Sequence, residues 1–217
     1  MITLALSKGR ILKQLLPMLE KIDIVPNDCP FTSRKLIFTT NQADVQFVVL
    51  RATDVATYVQ FGAADIGFVG KDSLMEHGGE GLCELLDLNI SKCRLMTAVH
   101  VDKVNTPRAK KGIKVATKYV KLAQQYYRSQ GVQAEIIKLN GAMELAPLVG
   151  LADEIVDLVE TGNTLKANNL VARDFISNIS CRLIANAASM RTNHQAIAAL
   201  HKELALAVGS TAFDKTD

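Results

Sequence analysis

The chain has 217 residues, of which 48% are hydrophobic, and carries a formal net charge of +3 at pH 7. This length and composition are typical of a globular protein with one large domain or two small lobes, and they exclude a disordered chain. The charge is small and evenly spread. It therefore argues against a nucleic-acid-binding protein, in which Lys and Arg usually cluster on one face or tail.

The N-terminal sequence MITLALSKGR lacks the features of a secretion signal, because its apolar run is short and no charge precedes it. No later segment reaches the roughly 20 apolar residues that a membrane-spanning helix needs. We therefore expect a cytoplasmic protein with no membrane partner. The four cysteines form no C-x-x-C pair and sit in or beside apolar runs, so we expect buried reduced thiols, no disulfide and no structural zinc.

Short runs rich in Val, Ile and Leu alternate with segments of helical period, which predicts an α/β fold of parallel strands joined by crossover helices. Strands are predicted in chain order at residues 2–6, 35–40, 45–50, 65–69, 95–100, 113–116, 135–139, 155–159 and 180–185. Helices are predicted at residues 10–22, 52–60, 72–77, 120–130, 143–149, 165–170 and 194–208. Pro17 lies inside the first helix and predicts a kink there or an earlier end.

The polar, basic stretch HVDKVNTPRAKKG, residues 100–112, is predicted to be a loop because it is followed and preceded by strands and contains Pro107 and Gly112. The strand patterns on its two sides indicate two lobes. We place the first at residues 1–92 together with a returning segment at 179–217, and the second at residues 93–178. The return of the final helix to the first lobe rests on the pattern alone.

In the second lobe, the buried strand EIVDLV ends in a short loop of small and hydroxyl residues, and a helix is predicted behind it. Free N–H groups at a helix start, two threonine hydroxyls and a glycine that permits close approach are typical of a phosphate site. Carboxylates beside it can accept hydrogen bonds from a sugar diol. The loop thus predicts a ribose-phosphate site; the alternative is a simple turn and N-cap. The candidate residues are Asp157, Glu160, Thr161, Gly162, Asn163 and Thr164.

Two other phosphate motifs are excluded. The segment GAADIGFVGKD, residues 62–72, lacks the G-x-x-x-x-G-K-[ST] spacing of a P-loop and the hydroxyl after the lysine. No G-x-G-x-x-G occurs anywhere to indicate a dinucleotide fold.

Two basic clusters are further candidates. The segment LALSKGR places Lys8 and Arg10 after the first strand, where open α/β sheets bind ligands, and TSRKL places Arg34 and Lys35 at the entry of the next strand. If the two loops converge, their cations are enough to bind a pyrophosphate or triphosphate. The alternative is that these are solvated loop charges, as Lys and Arg usually are.

The segment ELAPLVGLADEIVDLVETGNTL, residues 144–165, resembles the signature of the ATP phosphoribosyltransferase family. The resemblance continues through LALSKGRI, SRKLIF, LRATDVATYVQFGAADIGFVGKD, ELLDL, CRLMTA, VATKYV and SCRLIAN, so it covers nearly the whole chain. It implies the first step of histidine biosynthesis, in which N1 of the adenine ring of ATP displaces pyrophosphate from phosphoribosyl pyrophosphate. It also implies two α/β lobes resembling type II periplasmic binding proteins, with the active site in the interlobe cleft.

By this resemblance, Asp157 and the loop from Glu160 to Thr164 hold the ribose and its 5-phosphate. Loss of pyrophosphate places negative charge on the leaving group, so we assign Arg10 and Arg34 to its stabilisation. Mg²⁺ carried by the pyrophosphate assists, and it needs no all-protein site.

Other charged residues have less definite roles in this scheme. Lys8 and Lys35 assist the two arginines, while Asp72 and Glu144 are candidate contacts of ATP. Arg51 lies at another strand end and either binds phosphate or pairs with Asp54 or Asp72.

The length of the chain resembles that of the short members of the family, which lack a C-terminal regulatory domain. The resemblance then implies a catalytic homodimer and a separate regulatory subunit similar to histidyl-tRNA synthetase. Three alternatives remain: a phosphoribosyltransferase acting on a different base, a solute-binding protein, and a nucleotide-binding module without catalysis. A solute-binding protein should carry an export signal, and transferases acting on free bases usually have adjacent acidic residues before the loop, whereas Asp157 and Glu160 are separated.

Overall fold

The computed structural model describes the backbone of residues 1–213 and the side chains of residues 1–209. Residues 214–217, which the expected first lobe includes, lie outside the described part. The chain divides into two compact units, of which the first comprises Met1–Ser91 with the segment from Ser180 onward and the second comprises Lys92–Ile179. Each unit contains one mixed β-sheet with helices.

The sheet of the first unit has six strands in the order β2-β3-β1-β4-β11-β5. Its strands are β1 (Ile2–Ser7), β2 (Ile37–Thr39), β3 (Val45–Leu50), β4 (Ile66–Gly70), β5 (Leu82–Asp87) and β11 (Cys181–Asn186). Its helices are α1 (Arg10–Lys21), α2 (Ala52–Gln60), α3 (Lys71–His77), α7 (Ser189–Thr192) and α8 (His194–Phe213).

The sheet of the second unit has five strands in the order β10-β6-β9-β7-β8. Its strands are β6 (Cys93–His100), β7 (Lys111–Thr117), β8 (Gln133–Lys138), β9 (Glu154–Val159) and β10 (Leu170–Ile179). Its helices are α4 (Val120–Ser129), α5 (Leu145–Leu148) and α6 (Asn163–Ala167), with a 3-10 helix at Val101–Lys103.

Apolar packing on both faces of the first sheet explains its near-continuous hydrophobic strands. The inner strand β1 is buried along its whole length. On one face, its leucines pack with apolar residues of α1 and α8, among them Leu15 and Leu204, both at 0% exposure. On the other face Ala5 packs with Val55 and Val59 of α2. A strand covered on both faces is apolar at most positions, and a polar group in it must be satisfied internally. Ser7 is such a group, since its hydroxyl donates to the Phe68 carbonyl at 3.0 Å.

All nine predicted strands are present, but the expectation of parallel strands is only partly correct. Strand β1 pairs in parallel with β3 and β4, and β7 pairs in parallel with β8 and β9. In contrast, β11 is antiparallel to both of its neighbours, β4 and β5. The pairs β2–β3, β6–β9 and β6–β10 are antiparallel as well, so both sheets are mixed.

Other details differ from the sequence predictions. Helix α1 continues through Pro17 to Lys21, so the earlier end is not seen. The predicted helix at residues 165–170 is instead α6, which is followed directly by the unpredicted strand β10; β5 was also not predicted. The cysteines are only partly in the core, since Cys29 is exposed while Cys93 and Cys181 are buried. Burial raises the pKa of Cys181 to about 12, so this thiol stays neutral.

The packing of α2 on β4 predicts that Gly67 cannot carry a side chain. An added Cβ would lie 2.7 Å from a methyl group of Val59 and 2.9 Å from one of Val55. We expect Gly67→Ala to lower the free energy of unfolding by about 1–3 kcal/mol through overpacking, measured by urea denaturation. Gly141→Ala is the control, because a Cβ there meets nothing within 4 Å. Equal stability of the two variants would contradict this packing.

Candidate active site

The loop that follows β9 has the backbone geometry expected of a phosphate-binding turn. Gly162 is in the left-handed region, with φ 78° and ψ 5°, and helix α6 begins at Asn163, two residues before the predicted start at residue 165. The backbone N–H of Lys166 donates to the Gly162 carbonyl at 3.0 Å, which closes the first turn. The Thr161 hydroxyl oxygen lies 3.4 Å from the Asn163 backbone nitrogen.

The side chains of this loop face solvent. Glu160, Thr161, Asn163 and Thr164 are exposed, whereas Leu165 behind them is buried in the core of the second unit. The buried leucine fixes the helix to the sheet, and the turn before it leaves both threonine side chains exposed. We call residues 160–164 the phosphate loop.

Asp157 lies on β9, partly buried, three residues before the phosphate loop. One of its carboxylate oxygens accepts a hydrogen bond from the Leu158 backbone N–H at 2.8 Å and lies 3.9 Å from the Lys118 ammonium nitrogen. The same ammonium lies 4.8 Å from the centre of the Tyr119 ring. Lys118 thus places a positive charge beside the carboxylate.

Sequence analysis missed Lys118. Strands β7 and β9 are parallel neighbours, with Thr117 in register with Val156, so Lys118 follows β7 at the same sheet edge to which β9 delivers Asp157. The adjacency of the two strands would have indicated it, but the apolar pattern does not give strand order.

Glu144, in turn, lies at the N-cap of α5 and is partly buried.

In the first unit, strand β1 delivers Lys8 and Arg10 to the carboxyl edge of the sheet. The Lys8 backbone N–H donates to the Leu50 carbonyl at 2.8 Å, which ties the end of β1 to the end of β3. Gly9 then turns with φ 91°, and Arg10 is the first residue of α1. The Arg10 guanidinium donates from Nη2 to the Ser91 carbonyl at 3.2 Å.

Arg51 and Asp72 follow the strands on either side of β1. Arg51 is the exposed N-cap of α2 behind β3, and Asp72 is the second residue of α3 behind β4, where it is only 7% exposed. Since β3, β1 and β4 are parallel neighbours, these residues and Lys8 lie along one edge of the sheet. No ion pair of Arg51 with Asp54 or Asp72 is present in the described part of the chain.

Arg34 and Lys35 lead into β2, which begins at Ile37, two residues later than predicted. Strand β2 is antiparallel to β3, so its entry lies beside the carboxyl end of β3, where the Val49 N–H donates to the Leu36 carbonyl at 2.8 Å. Both side chains are exposed. The Lys35 ammonium lies 2.6 Å from Asp28, in an ion pair that is open to solvent on both sides.

A second charge cluster lies in the second unit and was not anticipated, because residues 100–112 were predicted only as a loop. Glu154, at 2% exposure, accepts two hydrogen bonds at 2.8 Å from the Arg108 guanidinium and one at 2.7 Å from the Tyr127 hydroxyl. Arg108 also donates to Asp174, and Arg173 lies 3.2 Å from Glu154. We call these five residues the ion cluster; it joins β9, β10 and α4 to the loop before β7.

The ion cluster shifts the pKa values of Arg108 and Asp174. Burial alone would lower the pKa of Arg108, but its bonds to Glu154 and Asp174 more than offset this, and the pKa rises. For Asp174, burial is likewise outweighed by hydrogen bonds from Arg108 and Thr97, which hold the pKa below its ordinary value. The stabilisation by ionised Asp174 is therefore present at neutral pH and is lost as the pH falls through the lowered pKa.

Comparison with known proteins now decides the family. A sequence model of ATP phosphoribosyltransferase matches residues 51–206. The chain is 60% identical over 209 residues to an ATP phosphoribosyltransferase of Hahella chejuensis, an alignment that covers 96% of this chain and 98% of the relative. The chain belongs to the ATP phosphoribosyltransferase family. Its activity is the transfer of a phosphoribosyl group to ATP in histidine biosynthesis, and its relatives share its short length.

Solved structures agree with the predicted fold class. The chain superimposes with a TM-score of 0.84 and 31% identity on an ATP phosphoribosyl transferase (HisG:HisZ) complex from Thermotoga maritima, covering 97% of this chain and 100% of that one. The periplasmic aliphatic sulphonate binding protein SsuA from Escherichia coli has a TM-score of 0.61 at 14% identity, covering 99% of this chain and 74% of SsuA. This second likeness is one of fold alone and confirms the expected periplasmic-binding-protein architecture.

No helix within residues 1–213 is long and apolar enough to cross a membrane. Within the same range, no three His, Cys, Asp or Glu side chains are grouped so as to hold a metal ion.

The ion cluster predicts a large stability cost on loss of Arg108. Because Glu154 is almost fully buried, Arg108→Met leaves its carboxylate underpaired and should lower the free energy of unfolding by about 3 kcal/mol or more. The control is Lys103→Met, which removes an exposed pair with Asp153 and should cost about 0–1 kcal/mol. Denaturant titrations at neutral pH measure both. Equal losses of unfolding free energy in the two variants would mean that Arg108 stabilises the fold no more than a surface ion pair does.

Proposed function

We propose that the phosphate loop binds the 5-phosphate of phosphoribosyl pyrophosphate. The observation that carries this assignment is the left-handed Gly162 between exposed Thr161 and the start of α6, because this geometry turns N–H groups and hydroxyls toward one anion. The family membership supplies the substrate, and the loop supplies the chemistry that a phosphate monoester requires. Thr161, Asn163 and Thr164 are the donors in this scheme.

Asp157 and Glu160 accept hydrogen bonds from the ribose hydroxyls in this proposal. A carboxylate beside a phosphate is unfavourable unless a cation compensates it, and Lys118 lies 3.9 Å from Asp157 for that purpose. The partly buried position of Asp157 favours a fixed carboxylate, and a carboxylate can accept a sugar hydroxyl as one of several hydrogen bonds.

The basic residues of the first unit act on the pyrophosphate. Departure of the leaving group places positive charge on the ribose ring and negative charge on the pyrophosphate, so catalysis depends on fixed positive charge near the departing oxygens. Arg10 and Arg34 supply that charge as bidentate donors. Lys8, Lys35 and Arg51 assist the two arginines in binding the pyrophosphate. To do so, Lys35 must break its exposed ion pair with Asp28 and bind the ligand instead.

Mg²⁺ enters with the pyrophosphate as part of the substrate. This ion usually retains several waters and binds through substrate phosphates rather than a protein cage. It neutralises pyrophosphate charge, while the arginines of the chain hold the anion in place. N1 of adenine already carries a lone pair, so no strong general base is required. Asp72 and Glu144 are proposed as contacts of the ATP adenine or ribose.

The proposed partners follow from the relatives. The Thermotoga maritima structure contains a HisG:HisZ complex, and this chain covers the whole of the matched subunit. By analogy with that complex, we propose a HisZ partner for this chain. The homodimeric catalytic form, the similarity of the regulatory partner to histidyl-tRNA synthetase and the cytoplasmic location are proposed on the family resemblance. Inhibition by histidine would then require that partner.

The first test addresses the arginines. The purified chain is mixed with ATP, phosphoribosyl pyrophosphate and Mg²⁺, and both pyrophosphate release and the adduct are measured by chromatography. We expect Arg10→Ala/Arg34→Ala to lose about 10²-fold or more in kcat, because oriented positive charge at the leaving group is removed. Lys103→Met, which removes an exposed ion pair with Asp153 in the second unit, serves as the control. Turnover by the wild-type chain with a free base but not with ATP would favour the different transferase instead.

The second test addresses the phosphate loop. Thr161→Val and Thr164→Val each remove one hydroxyl donor to a charged phosphate, so each should raise KM for phosphoribosyl pyrophosphate about tenfold or more. KM for ATP should change little. Thr57→Val, at an exposed position of α2, is the matched control. A rise confined to KM for ATP would assign the loop to the other substrate.

A further inference from the structure

Arg94 is the second residue of β6 and lies beside the end of β9. Strands β6 and β9 are antiparallel neighbours, and Arg94 is in register with Val159, the last residue of β9. The phosphate loop begins one residue later, at Glu160. The start of β6 and the phosphate loop therefore meet at one edge of the second sheet, although they are far apart in sequence.

The side chain of Arg94 is on the same face of the sheet as Asp157. Directly opposed residues of antiparallel strands point to one face, with their Cβ atoms about 4.5–5.5 Å apart. Arg94 therefore shares a face with Val159. Because side chains alternate along a strand, Asp157 and its register partner Met96 are on that face too. Met96 and Val159 pack in the core that includes Leu165, so this is also the face that α6 covers.

Val159 brings Arg94 close to the glycine of the phosphate loop. A Cβ built on Gly162 would lie 3.9 Å from Cγ1 of Val159, so the glycine sits against the side chain that is opposite Arg94. An arginine carries its guanidinium on three methylene groups and can extend past a neighbouring valine. The Arg94 side chain is exposed, and it forms no ion pair with a carboxylate within the described side chains, residues 1–209.

The opposite face of the same strands is occupied by the ion cluster. Thr97 of β6 alternates with Arg94, and its hydroxyl donates to Asp174 at 2.9 Å. Glu154 of β9 likewise alternates with Asp157 and binds Arg108. The two faces of the sheet thus separate the cations that are paired with buried carboxylates from Arg94, which lies on the face of the phosphate loop.

The phosphate loop requires a cation in this position. Residues 157–164 contain two carboxylates, those of Asp157 and Glu160, and no Lys or Arg. A phosphate monoester carries a charge of about −1.5 to −2 at pH 7, whereas hydroxyl and backbone N–H groups are neutral donors. Lys118 lies beside Asp157, so its charge compensates that carboxylate. A guanidinium can donate two parallel hydrogen bonds to two phosphate oxygens.

We infer that Arg94 is a further substrate-binding residue, which binds the 5-phosphate of phosphoribosyl pyrophosphate together with the phosphate loop. This inference rests on the proposed function of that loop. The 5-phosphate is unchanged by the reaction, so its contact with Arg94 is equally strong in the ground state and the transition state. Such a contact lowers KM for this substrate and leaves kcat unaltered.

The test measures the steady-state kinetics of Arg94→Met with ATP, phosphoribosyl pyrophosphate and Mg²⁺. Methionine retains most of the apolar stem but removes the charge and the donors. KM for phosphoribosyl pyrophosphate should rise about tenfold or more, as for a lost hydrogen bond to a charged group, while kcat and KM for ATP should change little. Arg94→Lys keeps the charge but not the paired donors, so it should lose less than Arg94→Met.

Arg128→Met is the matched control. It removes another exposed arginine of the second unit, in the last turn of α4, and should leave all three kinetic constants unchanged. Thermal unfolding of each variant establishes that it is folded.

Two inhibitors locate the contact on the substrate. Ribose 5-phosphate carries the 5-phosphate, whereas inorganic pyrophosphate corresponds to the leaving group. Arg94→Met should weaken inhibition by ribose 5-phosphate about tenfold and leave inhibition by pyrophosphate unchanged. In the Thr161→Val background, Arg94→Met should weaken ribose 5-phosphate binding by less than the product of the two separate effects, because both groups bind one anion.

Three results would overturn the inference. If Thr161→Val weakens inhibition by ribose 5-phosphate and Arg94→Met does not, the phosphate loop keeps its proposed function and Arg94 is no part of the site. Equal weakening of both inhibitors by Arg94→Met would indicate a long-range effect of charge and no contact with the 5-phosphate. Unchanged inhibition by ribose 5-phosphate in both variants would remove the proposed function of the phosphate loop, and the inference with it.

Discussion

The meeting of parallel strand ends at one sheet edge is the constraint on which the candidate site depends. In the first unit, β3, β1 and β4 end side by side, and each is followed at once by a helix that begins with a charged residue or places one in its first turn. In the second unit, the parallel strands β7 and β9 likewise end side by side, which brings Lys118 and Asp157 to the same sheet edge. Charged groups far apart in sequence thus become neighbours without any long loop to order, which keeps the entropic cost of assembling the site low.

The apolar runs of the sheets predicted this architecture because inner parallel strands must be hydrophobic throughout. That explains why all nine predicted strands are present and why the site residues after β1, β3, β4 and β9 could be picked out from the sequence. Strands β5 and β10 could not be predicted from the sequence, because their charged residues interrupt the apolar pattern. In the fold those charges are paired: Glu84 and Asp87 with Arg182, and Asp174 with Arg108. The pairing that makes the strands possible is long-range, so local sequence does not reveal it.

Long-range contacts also determine which residues surround the site, so local sequence does not reveal them. The position of Lys118 beside Asp157 depends on the order of strands in the sheet, which the hydrophobic period and the composition do not give. The hydrogen bond of Arg10 joins α1 to Ser91, 81 positions further along the chain. The backbone of the phosphate loop, by contrast, could be predicted from local sequence, since it consists of a buried strand, a glycine that adopts positive φ and the start of a helix.

The cations of this chain fall into two physical classes. Arg108, Arg173 and Arg182 are mostly buried and bonded to carboxylates, so their charge serves the fold and is locally cancelled. Arg34 and Arg51 lie exposed at the edge of the first sheet. Cations paired with carboxylates add little to the electrostatic potential at the surface, whereas exposed guanidiniums keep their contribution to it. A net charge of only +3 is therefore compatible with a site for two polyphosphate substrates, since local arrangement rather than total charge sets the potential there.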